Sequence, residues 1–258
     1  MSKHDKRAVA ASFGRAAQTY DSVAHFQRAV GARALQEIPD NAYQTVLDIG
    51  SGTGYFFEGL SGFAADAVIN LDLSWGMLDY ARQQHPAMVH LIQADAEALP
   101  FAKASIDLIF SSLAIQWCDD LDVLMANIKR VLKPGGVFVF TTLLDGTLHE
   151  LKQAWSEVDQ YQHVNEFFTL SQHEEAIRRH GMTPLALKPY RDVLYYDKLG
   201  ELTRELKMLG AHNVNMQRPT HVSGRGRLRK LTQAYERFRQ DETGLPASYE
   251  VLQAVVRA

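Results

Sequence analysis

Three aspartates carry the most chemical promise in this chain, because each falls at or near the end of an apolar run. Asp48 lies in Val46-Leu47-Asp48-Ile49, which breaks into Gly50-Ser51-Gly52-Thr53-Gly54, while Asp72 and Asp95 close the runs ending in Leu71 and Ala94. Short, near-continuous apolar runs mark buried parallel strands, and glycines after such a strand permit positive φ and close approach of backbone to a ligand. Ligands of open α/β sheets bind at the carboxyl ends of the strands, so the three acids should share one edge. A carboxylate there offers two acceptor oxygens to vicinal hydroxyls, its competing use being a helix cap or loop anchor. Asp48, one residue inside its strand, either orders the glycine turn through backbone amides or faces a ligand ammonium.

The glycine turn is not the dinucleotide fingerprint G-x-G-x-x-G, since Tyr55 stands where the third glycine is needed, and a nicotinamide cofactor is disfavoured. Its spacing resembles motif I of the class I S-adenosylmethionine-dependent methyltransferases. That resemblance implies that Gly50, Ser51 and Gly52 cradle the amino acid part of the cofactor and that Asp72 accepts the ribose hydroxyls. It also implies that Asp95 and Ala96 flank the adenine, with Gln27 and Leu113 as further cofactor contacts. Leu73 and Met77 pack on the ribose or adenine, or are plain core. Ser111 to Trp117 occupies the motif IV position and lacks the Asn-Pro-Pro-Tyr of base-methylating enzymes; Gln116 and Trp117 face the cofactor or join the core.

To bring those residues together the chain must alternate strands and helices. Helical spacing covers Arg7 to Ile38 as two helices joined at Tyr20-Asp21. A strand follows to Ile49, then a helix from Tyr55, a strand at Ala67 to Leu71, a helix from Ser74 to His85 and a strand at Val89 to Ala94. A strand at Ile106 to Ser112, a helix at Asp119 to Leu132 and a strand at Val137 to Thr142 continue the pattern. Beyond it, helices are expected at Leu148 to Asp159, Ser171 to His180, Leu199 to Leu209 and Leu228 to Asp241. Leu185 to Tyr196 and Ser248 to Arg257 form an antiparallel strand pair. The expected fold is α/β, a doubly wound, mostly parallel seven-stranded sheet with an antiparallel last strand and an added helical lid. Residues 1–258 read as one domain, with a helical cap at 1–38, a cofactor-binding core at 43–145 and lid and substrate helices in 146–258.

Composition narrows the rest. One cysteine, Cys118, excludes an internal disulfide framework and a cysteine-built zinc site, and the ten histidines show no His-Glu-x-x-His spacing, so no metal is expected. The polar start at Met1 to Arg7 and the absence of a spanning apolar run lead us to expect a cytoplasmic protein without membrane insertion. A net charge of −3 gives no global case for nucleic acid.

Three segments resemble the malonyl-acyl-carrier-protein O-methyltransferases of biotin synthesis. They are Val9-Ala10-Ala11-Ser12-Phe13-Gly14-Arg15-Ala16-Ala17 with Tyr20-Asp21 and Gln27, then Arg204 to Asn213, then Ser248-Tyr249-Glu250-Val251-Leu252. The resemblance implies a monomer that methylates the free carboxyl of malonyl-acyl-carrier protein. A carboxylate is already ionised at pH 7 and needs alignment rather than a general base. Arg204 is the candidate to hold it, or else a surface residue paired to Glu201 or Glu205; Tyr20 closes over the acceptor, or caps a turn. His212 and Asn213 would line the thioester channel. Arg218, Arg225, Arg227, Arg229 and Lys230 form a basic cluster, read as a docking face for an acidic carrier or as a solvated loop, with RNA as the rival partner. The alternatives are a C- or O-methyltransferase of quinones or phenols, which would want a general base, and a non-catalytic cofactor-sensing protein.

Overall fold

The computed structural model describes residues 5–211 and 225–258. Helices α1 (Lys6–Val23) and α2 (His25–Leu35) precede β1 (Tyr43–Ile49), α3 (Phe57–Ser61), β2 (Ala64–Asp72), α4 (Trp75–Gln84) and β3 (Leu91–Gln93). Then come β4 (Ile106–Ser112), α5 (Leu121–Val131), β5 (Leu132–Leu143), α6 (His149–Ser156), α7 (Leu170–Arg179), β6 (Thr183–Tyr196), α8 (Leu199–Met208), α9 (Arg225–Tyr235) and β7 (Leu245–Arg257). The strands make one seven-stranded sheet in the order β3-β2-β1-β4-β5-β7-β6. The first five strands pair in parallel, and β7 runs antiparallel to both β5 and β6.

Alternation along the central strands divides the core, since successive side chains of a strand point to opposite faces. Leu47, Ile109, Phe138, Phe140, Leu252 and Ala254 pack on one face with Leu124, Met125 and Ile128 of α5 and Ile177 of α7. Their neighbours Val46, Leu108, Phe110, Val137, Val139 and Val255 pack on the other face with Ala34 and Leu60. A third cluster joins Phe26 and Val30 of α2 to Leu151, Leu199, Leu202, Leu231, Tyr235 and Tyr249, and so roofs the second half of the sheet.

Three local departures from expectation have physical causes. The break between α1 and α2 falls at Ala24, not at Tyr20-Asp21. The residues suited to capping turn their hydroxyls back into the helix, Thr19 onto the Ala16 carbonyl and Ser22 onto the Thr19 carbonyl. Lys133 to Gly136 is a bulge within β5 rather than a turn before it, the register passing from Ile106↔Leu132 to Leu108↔Val137. Strand β3 shortens to Leu91–Gln93, in register with Asn70 to Asp72, while His90 and Ala94 at its ends each keep one bond to β2, from Asn70 N and to the Asp72 carbonyl.

The order reverses between β1, whose crossovers lead to β2 and β3, and β4, so a crevice opens beyond the carboxyl ends of these two strands. The loops after them touch there. Gly50 has φ +74°, and a Cβ on it would stand 2.2 Å from the Ala114 Cβ. Helix α1 crosses α4 at a second close approach, a Cβ on Gly76 meeting the Gly14 Cα at 2.9 Å. This lets α1 lie over the crevice.

Gly50→Ala should therefore cost about 2 kcal/mol or more in urea unfolding, from left-handed strain of about 1–2 kcal/mol plus overpacking. Adding Ala114→Gly should recover the overpacking share alone. Strict additivity of the two changes would show that the loops do not touch.

Candidate active site

The turn is held by the strand beside it. Gly50 N and Ser51 N both donate to the Leu71 carbonyl, at 2.7 and 3.1 Å. The next residue, Asp72, accepts from Gly52 N at 3.0 Å and from Ser74 N at 2.7 Å, fixing the turn and the start of α4 together. Burial pushes the Asp72 carboxyl up to about 6 despite those two amides. Asp48 does not order the turn: its Oδ2 is buried and has no hydrogen-bond partner among the described residues. Burial, and then the charge of Asp72, push it up to about 8.

Three adjoining cavities meet at this edge. The first, about 110 Å³, is lined by Gly50, Gly52, Asp72, Leu73, Met77, Asp95, Ala96 and Leu113, with Lys6, Val9, Phe13 and Tyr20 of α1 above. Those four residues recur at helical spacing and form one stripe of α1. The second, about 40 Å³, lies beside the turn and is lined by Gln27, Arg28, Asp48 and Ser51 among others. Gln27 Oε1, Arg28 Nε, Asp48 Oδ2 and Ser51 Oγ are all buried there without partners among the described residues. Orphaned polar atoms cost about 1–3 kcal/mol each, so this quartet is built for a polar guest. Acceptors on Gln27 and Asp48 suit an ammonium; donors on Arg28 and Ser51 suit a carboxylate. The guest these residues fit is an α-amino acid group.

The third cavity, about 260 Å³, shares Phe13, Tyr20, Leu113 and Trp117 with the first. Its apolar walls include Phe26, Leu148, Leu151, Trp155, Leu206 and Tyr249, and its polar lining is Tyr20, Gln27, Gln116, His163, Asn165 and Thr203. Tyr20 lines all three cavities. Burial first, then Asp72 and Asp21, hold its phenol above the usual range, so it remains an O–H donor. Leu113 sits at φ +49°, its amide tied to the Thr141 carbonyl and hydroxyl, both at 3.1 Å. Strain of this kind persists where surrounding structure enforces it.

Helix α1 is tied down along its length. Lys6 pairs with Asp95 and Glu97, whose attraction outweighs burial and raises the amine to about 12. Glu97 also accepts from Asp119 N at 3.1 Å and Asp120 N at 2.9 Å, anchoring the loop beyond β4. Ser12 donates to the Gly210 carbonyl, and the Thr19 hydroxyl shares its one proton between the Ala16 and Met208 carbonyls, each at 3.1 Å. Asp21 accepts from Thr53 Oγ1 at 2.9 Å and pairs with Arg28 at 3.0 Å, clamping the helix end to the turn.

The structure thus gathers Tyr20, Gln27, Asp48, Gly50, Ser51, Gly52, Asp72, Leu73, Met77, Asp95, Ala96 and Leu113 around adjoining cavities. It does not bring Arg204 there. Arg204 is exposed on α8, whose cavity face carries Thr203 and Leu206, and one residue rotates a helix by about 100°. Arg227 pairs with Asp159 rather than standing free, whereas Arg229 and Lys230 are exposed. Arg225 begins α9. His212, Asn213 and Arg218 lie outside the described residues. Sequence reading missed Lys6, Arg28, Ser51 Oγ as a donor, and Glu97; the acid two residues after Asp95 was the visible signal for the last.

A methyltransferase domain family matches residues 47–140. The fold also matches the geranyl diphosphate C-methyltransferase of Streptomyces coelicolor A3(2), solved with S-adenosyl-L-homocysteine. The TM-score is 0.56 at 14% identity, covering 90% of this chain and 79% of that one. Fold and site together define a class I methyltransferase. The chain is 42% identical over 260 residues to the malonyl-acyl-carrier-protein O-methyltransferase of Methylococcus capsulatus, covering 98% of this chain and 94% of that protein. It is 52% identical over 253 residues to the biotin biosynthesis bifunctional protein BioHC of Cellvibrio japonicus, where it covers 98% of this chain and spans 50% of the relative. The chain belongs to the malonyl-acyl-carrier-protein O-methyltransferase family.

The raised carboxyls set a pH dependence. Between the ordinary aspartate value of about 4 and the folded values of about 6 for Asp72 and about 8 for Asp48, the folded state holds protons that the unfolded state has lost. Their contribution to stability is present below pH 4 and is lost as pH rises through those values. Asp48→Asn should thus stabilise the ligand-free protein increasingly from pH 5 to pH 8, by at most about 1.4 kcal/mol per unit in urea unfolding. An advantage that stays flat with pH would mean that Asp48 is ionised in the fold.

Proposed function

We propose that this chain transfers the methyl group of S-adenosylmethionine to the free carboxyl of a malonyl group borne by an acyl carrier protein. The observation that carries the reading is the junction at Tyr20 of a small cavity with four orphaned polar atoms, a cleft bearing Asp72 and Asp95, and a larger, mostly apolar-walled cavity with no Asp or Glu in its described lining. Gln27, Arg28, Asp48 and Ser51 hold the amino acid part of the cofactor. Asp72 takes the ribose; Asp95, Ala96, Leu73 and Met77 border the adenine. The bound cofactor supplies an electrophilic sulfonium methyl. An acceptor carboxylate needs no base, so the residues around it have only to bind, orient and exclude water. Tyr20, held protonated, donates to that carboxylate, and Phe13, Leu113 and Trp117 close the junction. The carrier's arm lies between the apolar walls, and the acidic carrier meets the exposed Arg229 and Lys230.

A second reading has one observation in its favour. His163 lines the acceptor cavity and is a possible general base for a phenol or carbon acid.

Incubation with malonyl-acyl-carrier protein and S-adenosylmethionine should give a one-methyl gain on the malonyl group by mass spectrometry. No gain from folded, cofactor-binding protein overturns the assignment. Tyr20→Phe should lower kcat/KM about 10- to 100-fold with near-unchanged cofactor affinity. Arg229→Glu with Lys230→Glu should raise KM for the carrier-bound malonyl group far more than for a small malonyl thioester; equal effects would remove the docking role.

A further inference from the structure

Asp48 places an acid deep inside the fold without a counter-ion among the described residues. It is 2% exposed, lines the small cavity beside the turn, and leaves Oδ2 buried and unpartnered. Its neighbours in register on the adjoining strands, Asn70 of β2 and Phe110 of β4, bring no charge. Asp72, at the end of β2, brings a second acid, whose charge adds to burial in opposing ionisation of the first. Helix α1 contributes Tyr20, whose phenol stays protonated, and Asp21. The cation in the cavity lining is Arg28 of α2, and its guanidinium is spent elsewhere. It pairs with Asp21 at 3.0 Å and lies 4.5 Å from the centre of the Tyr55 ring, leaving Nε unpartnered. A carboxylate taken out of water without a partner is costly, and such a group holds a proton instead. The Asp48 carboxyl is accordingly pushed up to about 8.

We propose that Asp48 is a neutral acid in the empty site and gives its proton to solvent when the cofactor enters, so that the site exchanges a proton for the cofactor's ammonium. The inference rests on the cofactor reading above and adds its proton balance. The O–H bond of the carboxyl breaks, its electron pair stays on the oxygen, and that oxygen accepts from the ammonium, which keeps its own three hydrogens. A neutral acid and a free cation thus become an ion pair, with one proton released. Asp72, pushed up only to about 6, is mostly ionised at pH 7 before any ligand arrives, so release near neutrality falls to Asp48. Protons and cofactor then compete, each weakening the other by the same factor. A nucleoside without the amino acid group makes no such exchange.

Calorimetric titration with S-adenosylhomocysteine at pH 7, repeated in buffers of different ionisation enthalpy, counts the protons released. About one proton per site should leave the parent protein. Close to none should leave it with methylthioadenosine, or leave Asp48→Asn with S-adenosylhomocysteine. The parent's Kd for S-adenosylhomocysteine should fall about 5- to 10-fold from pH 6.5 to pH 7.5 and level off above pH 8, whereas that of Asp48→Asn should change less than about twofold. Binding to the parent without proton release, or with equal release for methylthioadenosine or for Asp48→Asn, overturns the inference and leaves the cofactor assignment standing. The two parent titrations decide alone if Asp48→Asn does not fold. Failure of the folded parent to bind S-adenosylhomocysteine would instead overturn the cofactor assignment itself, so the two failures are distinct.

Discussion

Everything at this edge depends on the way the end of β2 holds the glycine turn. Two turn amides converge on one carbonyl, that of Leu71, and the next side chain, Asp72, takes a third amide from the turn and one from the start of α4. A turn of left-handed glycines is entropically expensive, and on its own it would sample many shapes. Here its amides are satisfied by a buried neighbouring strand, so its shape follows from the packing of the sheet. The cost is a carboxylate in poor solvent, visible in the raised Asp72 and Asp48.

The same economy explains why a cap of helix is needed. An α/β sheet leaves the crevice at its carboxyl edge open, and the polar atoms around the 40 Å³ cavity are hidden from water without being paired. Helix α1 covers them because Gly14 and Gly76 let it approach α4 closely, while Lys6 and Asp21 fasten its two ends to Glu97 and to Thr53. Ligand-free protein thus carries strain that a zwitterion would relieve, and binding should stabilise the fold by mass action beyond what the apolar contacts alone give.

The fold was legible because its signals are local and redundant. Apolar runs, glycines and acids recur at strand ends, and the alternation of Leu47 with Val46 or of Phe138 with Val137 is a period that any two-faced sheet must show. Boundaries set by one hydrogen bond were not legible. Thr19 and Ser22 look like caps, yet their hydroxyls return to their own helix and α1 runs on to Val23. The turn and the acids that line the first two cavities were legible for the same reason as the fold, since Gly50, Gly52, Asp72 and Asp95 lie within a few residues of strand ends.

The third cavity was not, because nothing local marks its lining. Arg204 has the right charge, but the phase of α8 turns it outward beside Thr203 and Leu206. The cavity instead gathers His163 from a loop, with Asp159 before it and Arg227 from α9, residues brought together only by folding.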